Sequence, residues 1–162
     1  MDFSRLNRTR VLIGGAASIV LIVSILFLPW YSLTDSPTRA DNPELNYICG
    51  DGELSCTGFE TFPIMRWLLL AAALAPLILA YILVRGHKLS WAPGEMTMVV
   101  GFAAAVLIFY NGIIDRPGST FGVSLDIGYW LALLSALVIA GTGFTRSVES
   151  GGRKTRKAPG TV

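Results

Sequence analysis

Histidine occurs once in this chain, at His87, and cysteine twice, at Cys49 and Cys56. A metal centre built on imidazoles needs several histidines, so that class is excluded. His87 stands between Arg85 and Lys88 and reads as a solvated loop residue rather than a general base. Charge is also scarce, at 15% of residues. No charged residue falls in the middle of the long apolar runs, where a transporter usually places its ion-handling groups. The chain has no P-loop, GxGxxG, HExxH or GxSxG pattern and no Cys/His metal spacing. No nucleophile–base pair accompanies the apolar runs. These absences point away from an enzyme and call for no cofactor.

What the chain has is hydrophobic length. It is 52% hydrophobic over 162 residues, with a mean hydropathy of +0.57. Four apolar runs cover about Val11–Trp30, Ile64–Val84, Met96–Ile114 and Leu125–Thr145. Each holds the ~20 residues that an α-helix needs to cross a hydrocarbon core ~30 Å thick. The runs are nearly continuous, so every side of each helix must be covered by lipid or by a neighbouring helix. The expected fold is an all-α integral membrane protein: a four-transmembrane-helix bundle over residues 1–145, with helices at 11–30, 64–84, 96–114 and 125–145. The first run is too long for the apolar core of a signal peptide and has no small-residue cleavage pattern after it. It reads as a retained helix.

Lys and Arg near the helix ends set the orientation. One side would hold Arg5, Arg8, Arg10, Arg85, Lys88, Arg146, Arg153, Lys154, Arg156 and Lys157. The other would hold Arg39, Arg116 and the helix-end Arg66. Both termini are therefore expected in the cytoplasm. Most acids, including Asp35, Asp41, Glu44, Asp51, Glu53 and Glu60, fall on the opposite, outer side. The tail 146–162 is rich in Gly, Ser, Lys and Arg and reads as disordered. Its basic residues serve topology or hold the tail to anionic lipid. They lack the aromatic interleaving of a nucleic-acid site, so no nucleic-acid partner is expected.

The outer loop 31–62 is the largest segment between helices. Ser32–Glu44, with Pro37 and Pro43, reads as irregular coil. Cys49 and Cys56 flank Gly50-Asp51-Gly52, a tight-turn signal. On the outer face a Cys49–Cys56 disulfide would persist. It would close a ring of about eight residues, worth roughly 2–3 kcal/mol in the chain-entropy picture. A metal or redox pair lacks a third ligand and the CxxC spacing. A short hairpin pairing Asn46–Cys49 with Cys56–Phe59 would suit the turn.

Aromatics gather at the outer helix ends: Trp30, Tyr31, Trp67, Tyr110, Tyr129 and Trp130. They read as an interfacial belt. Arg66, Asn111, Asp115 and Asp126 form a candidate polar cluster at similar depth. Asn111 and Asp115 share a helix face at i,i+4. Arg66 could pair with Asp115 or Asp126, and Asn111 could bond a neighbouring helix. The competing readings are that each group snorkels or caps its own helix, or that together they form an ion or substrate site. Ser18, Ser24, Tyr81, Ser135 and Thr142 are the polar entries deeper in the runs, and Pro76 is a kink candidate. Gly14, Gly15, Ser18, Gly101, Ala105, Gly141 and Gly143 are small enough for close helix contact.

Phe27-Leu28-Pro29-Trp30-Tyr31-Ser32 resembles the LPWY-like segment of small bacterial four-span membrane proteins. In those, an aromatic-rich stretch precedes the second helix, here Gly58-Phe59-Glu60-Thr61-Phe62. The resemblance implies a bacterial plasma (inner) membrane and carries no assigned activity. The layout is also similar to that of claudin-like tetraspans, which carry a Trp and two cysteines in the first outer loop. Their full W-GLW-C-C signature is absent, since Tyr31-Ser32-Leu33 follows Trp30, so this likeness concerns layout alone. Function is expected to be that of an accessory or scaffold component of a membrane complex. Its partners would be the lipid bilayer and other membrane proteins or further copies of itself. The alternative is a small transporter or channel component acting as an oligomer. Single cysteines placed near residue 40 and in the tail test the orientation: impermeant maleimide should label intact cells only at the first position.

Overall fold

The computed structural model describes residues 8–33, 49, 55–85, 93–117 and 123–154. In chain order the elements are α1 (Arg8–Phe27), β1 (Pro29–Leu33), β2 (Ser55–Thr57), α2 (Gly58–Thr61) and α3 (Met65–Val84). They continue with α4 (Pro93–Phe109), a π-helical turn (Tyr110–Ile114), β3 (Val123–Leu125) and α5 (Ile127–Lys154). Thr9–Phe27, Met65–Ile82, Gly94–Ile114 and Ile127–Val148 are each long and apolar enough to cross a membrane. Large apolar side chains lie exposed along all four, among them Leu12, Ile19, Leu68, Ile78, Phe102 and Leu134. Exposed apolar surface of this kind marks a face that lipid or another protein covers.

The helix boundaries depart from expectation for local reasons. α1 stops at Phe27, not Trp30. Leu28 precedes Pro29, and a residue before proline is pushed out of the α region. The chain leaves the helix there and enters β1. α4 begins at Pro93, because proline at a first helical position loses no bond that the helix would have used. α3 runs unbroken through Pro76, whose side chain is buried. α5 continues to Lys154, so the stretch from Arg146 to Lys154 is helical rather than coil. Its continuation from residue 155 lies outside the described residues.

The loop between α1 and α3 is not purely irregular. β1 is the centre of a three-stranded antiparallel sheet in the order β2-β1-β3. Tyr31 pairs with Cys56 on one side and with Leu125 on the other. Cys56 belongs to a strand that pairs with Pro29–Leu33, and Gly58 and Phe59 of the expected hairpin are helical. Residues 46–48 of that hairpin lie outside the described residues, as do residues 34–44 of the expected coil. Thr57 caps the short α2 through a capping box, its hydroxyl accepting from Glu60 N while the Glu60 carboxylate accepts from Thr57 N. Cys49 and Cys56 form a disulfide with Cα atoms 5.0 Å apart, and both are buried.

The core runs down the bundle axis through Leu21, Ile25, Leu69, Ala73, Ile108, Ala136 and Ile139, all buried. α4 and α5 pack against each other most closely, and α1 lies against α5 and α3. The α4–α5 seam is set by glycine. A Cβ on Gly101 would sit 2.5 Å from the Ala140 nitrogen and 2.9 Å from its Cα. A Cβ on Gly143 would meet the Met98 nitrogen and come within 2.8 Å of the Gly94 oxygen. The obstructing atoms are backbone, so any larger residue must push the helices apart. Gly141 points to open space. Gly101→Ala and Gly143→Ala are expected to lower stability by about 1–3 kcal/mol through overpacking. Gly141→Ala should be neutral or stabilising by up to about 1 kcal/mol through helix propensity. Thermal unfolding in detergent checks all three.

Candidate functional site

The polar and aromatic groups converge at the end of the bundle that carries the sheet. Their arrangement starts from a bulge. Pro29 pairs with Thr57 and Tyr31 with Cys56, so the ladder shifts register across Trp30. A regular strand sends successive side chains to opposite faces. The bulge relaxes that alternation, and both Trp30 and Tyr31 are fully buried.

Trp30 is then held on all sides. Its Nε1 donates to the Ser24 carbonyl at 3.0 Å and lies 3.2 Å from the Ser24 hydroxyl. That hydroxyl donates in turn to the Gly128 carbonyl at 2.5 Å, joining α1 to the first turn of α5. The Trp30 carbonyl accepts from Asp126 N at 2.9 Å. Its ring packs edge-on against Phe62 and Tyr129, with centroids 6.4 and 6.0 Å away. Two glycines make the room. A Cβ on Gly58 would stand 2.6 Å from the indole, and one on Gly128 would stand 2.5 Å from the Pro29 oxygen.

Tyr31 points toward the π turn, and its hydroxyl donates to the Asn111 carbonyl at 3.3 Å. Burial pushes the Tyr31 phenol well above its usual range; the neighbouring Tyr129 pushes the same way, while Arg116 opposes both. The phenol therefore stays protonated and serves as a donor. Gly112, within the π turn, lies directly against the Tyr129 ring and has no room for a Cβ. The turn closes with Asp115 N donating to the Tyr110 carbonyl at 2.8 Å.

The expected polar cluster does not assemble as one site. Asn111 donates through Nδ2 to Leu107 O at 2.9 Å within its own helix, not to a neighbour. Asp126 precedes α5, its carboxylate accepting from Ile127 N, the first N–H of that helix, at 2.7 Å. Asp115 is exposed. Among the described residues no ion pair joins Arg66 to either acid. Arg66 instead donates from Nη1 to the Phe59 carbonyl at 3.3 Å. Its guanidinium lies 4.5 Å from the Phe59 ring centroid and 5.5 Å from that of Trp67. The aromatic belt also divides. Trp67, Tyr110 and Trp130 are exposed, whereas Trp30, Tyr31 and Tyr129 are wholly buried.

Gly112 and Gly128 are the residues of this region that no sequence motif singles out. One signal was present: Pro29, placed before two aromatics, marks the point where a helix must end. Two buried polar atoms, Tyr129 Oη and Arg66 Nε, have no hydrogen-bond partner among the described residues. No group of three or more His, Cys, Asp or Glu side chains converges among the described residues in a way that could hold a metal ion. The arrangement offers hydroxyl, indole and backbone groups that bind one another and fix the ends of helices.

The chain is a helical protein with four helices long and apolar enough for a membrane, closed at one end by a small sheet. It matches no protein-family model, no curated protein and no solved structure.

Trp30→Phe keeps the ring and removes the indole donor, leaving the Ser24 carbonyl without it. The expected loss is about 1–3 kcal/mol. Ser24→Ala should cost a similar amount by freeing the Gly128 carbonyl. The double change should be less than additive, since the two side chains share one network. Denaturation midpoints of the four proteins in one detergent decide this; strict additivity contradicts the network.

Proposed function

We propose that this chain is a multi-pass protein of a bacterial plasma (inner) membrane, with both termini in the cytoplasm. In this reading it acts without catalysis, as an accessory or scaffold component of a membrane complex. One observation carries the reading: a set of polar and aromatic side chains at the sheet end bonds main-chain atoms where the helices meet the sheet, although Tyr129 Oη and Arg66 Nε find no partner among the described residues. Ser24, Trp30, Tyr31 and Asp126 each bond main-chain atoms. Such an end suits a fixed platform that presents the sheet and the acidic loop 31–62 to another protein.

The test uses the full chain, tagged at its C-terminus and extracted from native membranes in mild detergent. Quantitative mass spectrometry of the co-purified material should find one or a few membrane proteins at near-stoichiometric amounts. The same preparation in liposomes should give no solute flux above that of empty vesicles. Flux carried by an oligomer, without a stable partner, would establish the transporter reading instead.

A further inference from the structure

We infer that the Cys49–Cys56 bond is a redox latch on the sheet: a dithiol reaches it only when the sheet end opens, and its reduction releases β2 from β1. Cys49 and Cys56 are 3% and 1% exposed. They belong to the same core cluster as Trp30, Tyr31 and Val123, with Phe59 and Phe62 packed against it. Thiol–disulfide exchange needs a thiolate to approach a sulfur, so access governs its rate. The closed sheet denies that approach. The exchange itself balances as a two-electron step. One thiolate of the dithiol attacks a sulfur of the bond, and a mixed disulfide forms. The second thiolate of the dithiol then displaces the cysteine. Cys49 and Cys56 end as thiols, holding the two protons that the dithiol gave up, and the dithiol ends as a disulfide.

β2 is the strand that this latch governs. It is three residues long and stands at an edge of the sheet, in the order β2-β1-β3. So short an edge strand has little stability of its own. Downstream it runs into α2, whose Gly58 lies against the Trp30 indole. Its central residue, Cys56, pairs with Tyr31 and is tied covalently to Cys49. The coupling runs both ways: as far as the bond favours the closed sheet, the closed sheet favours the bond. Trp30 and Tyr31, which the sheet holds inward, reach α1 through Ser24 and the π turn through Asn111. Away from the sheet, α4 and α5 meet through Gly101 and Gly143, and no part of that seam involves β2. Release of β2 therefore loosens one end of the bundle and leaves the other packed.

The experiment treats the full chain in a non-ionic detergent with dithiothreitol and counts free thiols by alkylation and mass spectrometry. Folded protein should be reduced about tenfold or more slower than the same chain unfolded in urea and dodecyl sulfate. Trp30→Phe loosens the sheet end and should speed reduction of the folded protein about fivefold or more, because exchange through an open form follows that form's population. Gly101→Ala, at the helix seam, should change the rate by less than about twofold. Hydrogen exchange then compares oxidised with reduced wild-type protein. Segments 29–33 and 55–62 should exchange faster after reduction, and segments 97–108 and 133–144 should not. Equal reduction rates in folded and unfolded protein overturn the latch, since the bond is then always open to attack. An unaltered rate in Trp30→Phe overturns it too, and so does an equal acceleration in Gly101→Ala, which makes global unfolding the route. Unchanged exchange in the sheet segments shows that the bond holds nothing, and faster exchange throughout shows loss of the whole fold; either removes the switch.

Discussion

The indole of Trp30 is the contact on which the rest of this structure depends. One ring touches α1 through Ser24, the β1 backbone, Phe62 before α3, and Tyr129 on α5. Its donor is buried, and a buried N–H without a partner costs about 1–3 kcal/mol. The Ser24 carbonyl meets that demand because α1 has already ended at Phe27, so carbonyls in its last turn are free of helix bonds. The same ending that Pro29 imposes therefore creates the acceptor that Trp30 needs. Each edge-on aromatic contact adds about 0.5–1.5 kcal/mol beyond area. These contacts are not independent, because each assumes that the bulge has placed Trp30 and Tyr31 on the inside.

The two ends of the bundle are held by different means. Away from the sheet, α4 and α5 approach through Gly94, Gly101 and Gly143, and α1 meets α5 where Gly14 faces Thr142. For helices placed in a bilayer, as proposed above, lipid tails are as apolar as leucine, so hydrophobicity alone does not draw the helices together. Close backbone packing supplies the attraction instead. At the sheet end the helices are joined by side chain–backbone bonds and by the strand ladder. The Cys49–Cys56 disulfide ties Cys49 to β2 at the position that pairs with Tyr31. The chain thus uses small residues where only helices meet and large aromatic residues where helices meet strands.

The four helices were legible because a 20-residue apolar run has few other solutions. The disulfide was legible because two cysteines and a Gly-Asp-Gly turn leave few alternatives. The sheet was not legible, and the reason is length. β2 and β3 have three residues each, too few for a period of two to appear against an apolar background. Their partner β1 lies 22 residues from β2 and 90 from β3, counting from Leu33 to Ser55 and to Val123. Trp30 and Tyr31 read as membrane-belt residues because their type and position were right for a belt. Only the bulge decides that they turn inward. Arg66 reads either as one half of an ion pair, because two acids lie at similar depth, or as a snorkelling side chain. Similar depth does not place them on facing sides, and the short α2 supplies Phe59 as a nearer partner. The Arg146–Lys154 stretch read as coil from its composition, yet the helix that precedes it continues into it.

The tie between Trp30 and the helix ends also bears on motion. Opening a path at the sheet end would separate α1 from α5. That separation breaks the Ser24–Gly128 bond, pulls Asp126 N from the Trp30 carbonyl, and exposes or strands the indole donor. Several buried polar groups would lose partners together, each at about 1–3 kcal/mol. A conformer that separates these groups is therefore sparsely populated unless a ligand favours it strongly. Arg66 stands apart from this network. Its guanidinium is held at the margin of the clamp by Phe59 and Trp67, and none of the bonds that secure Trp30 passes through it.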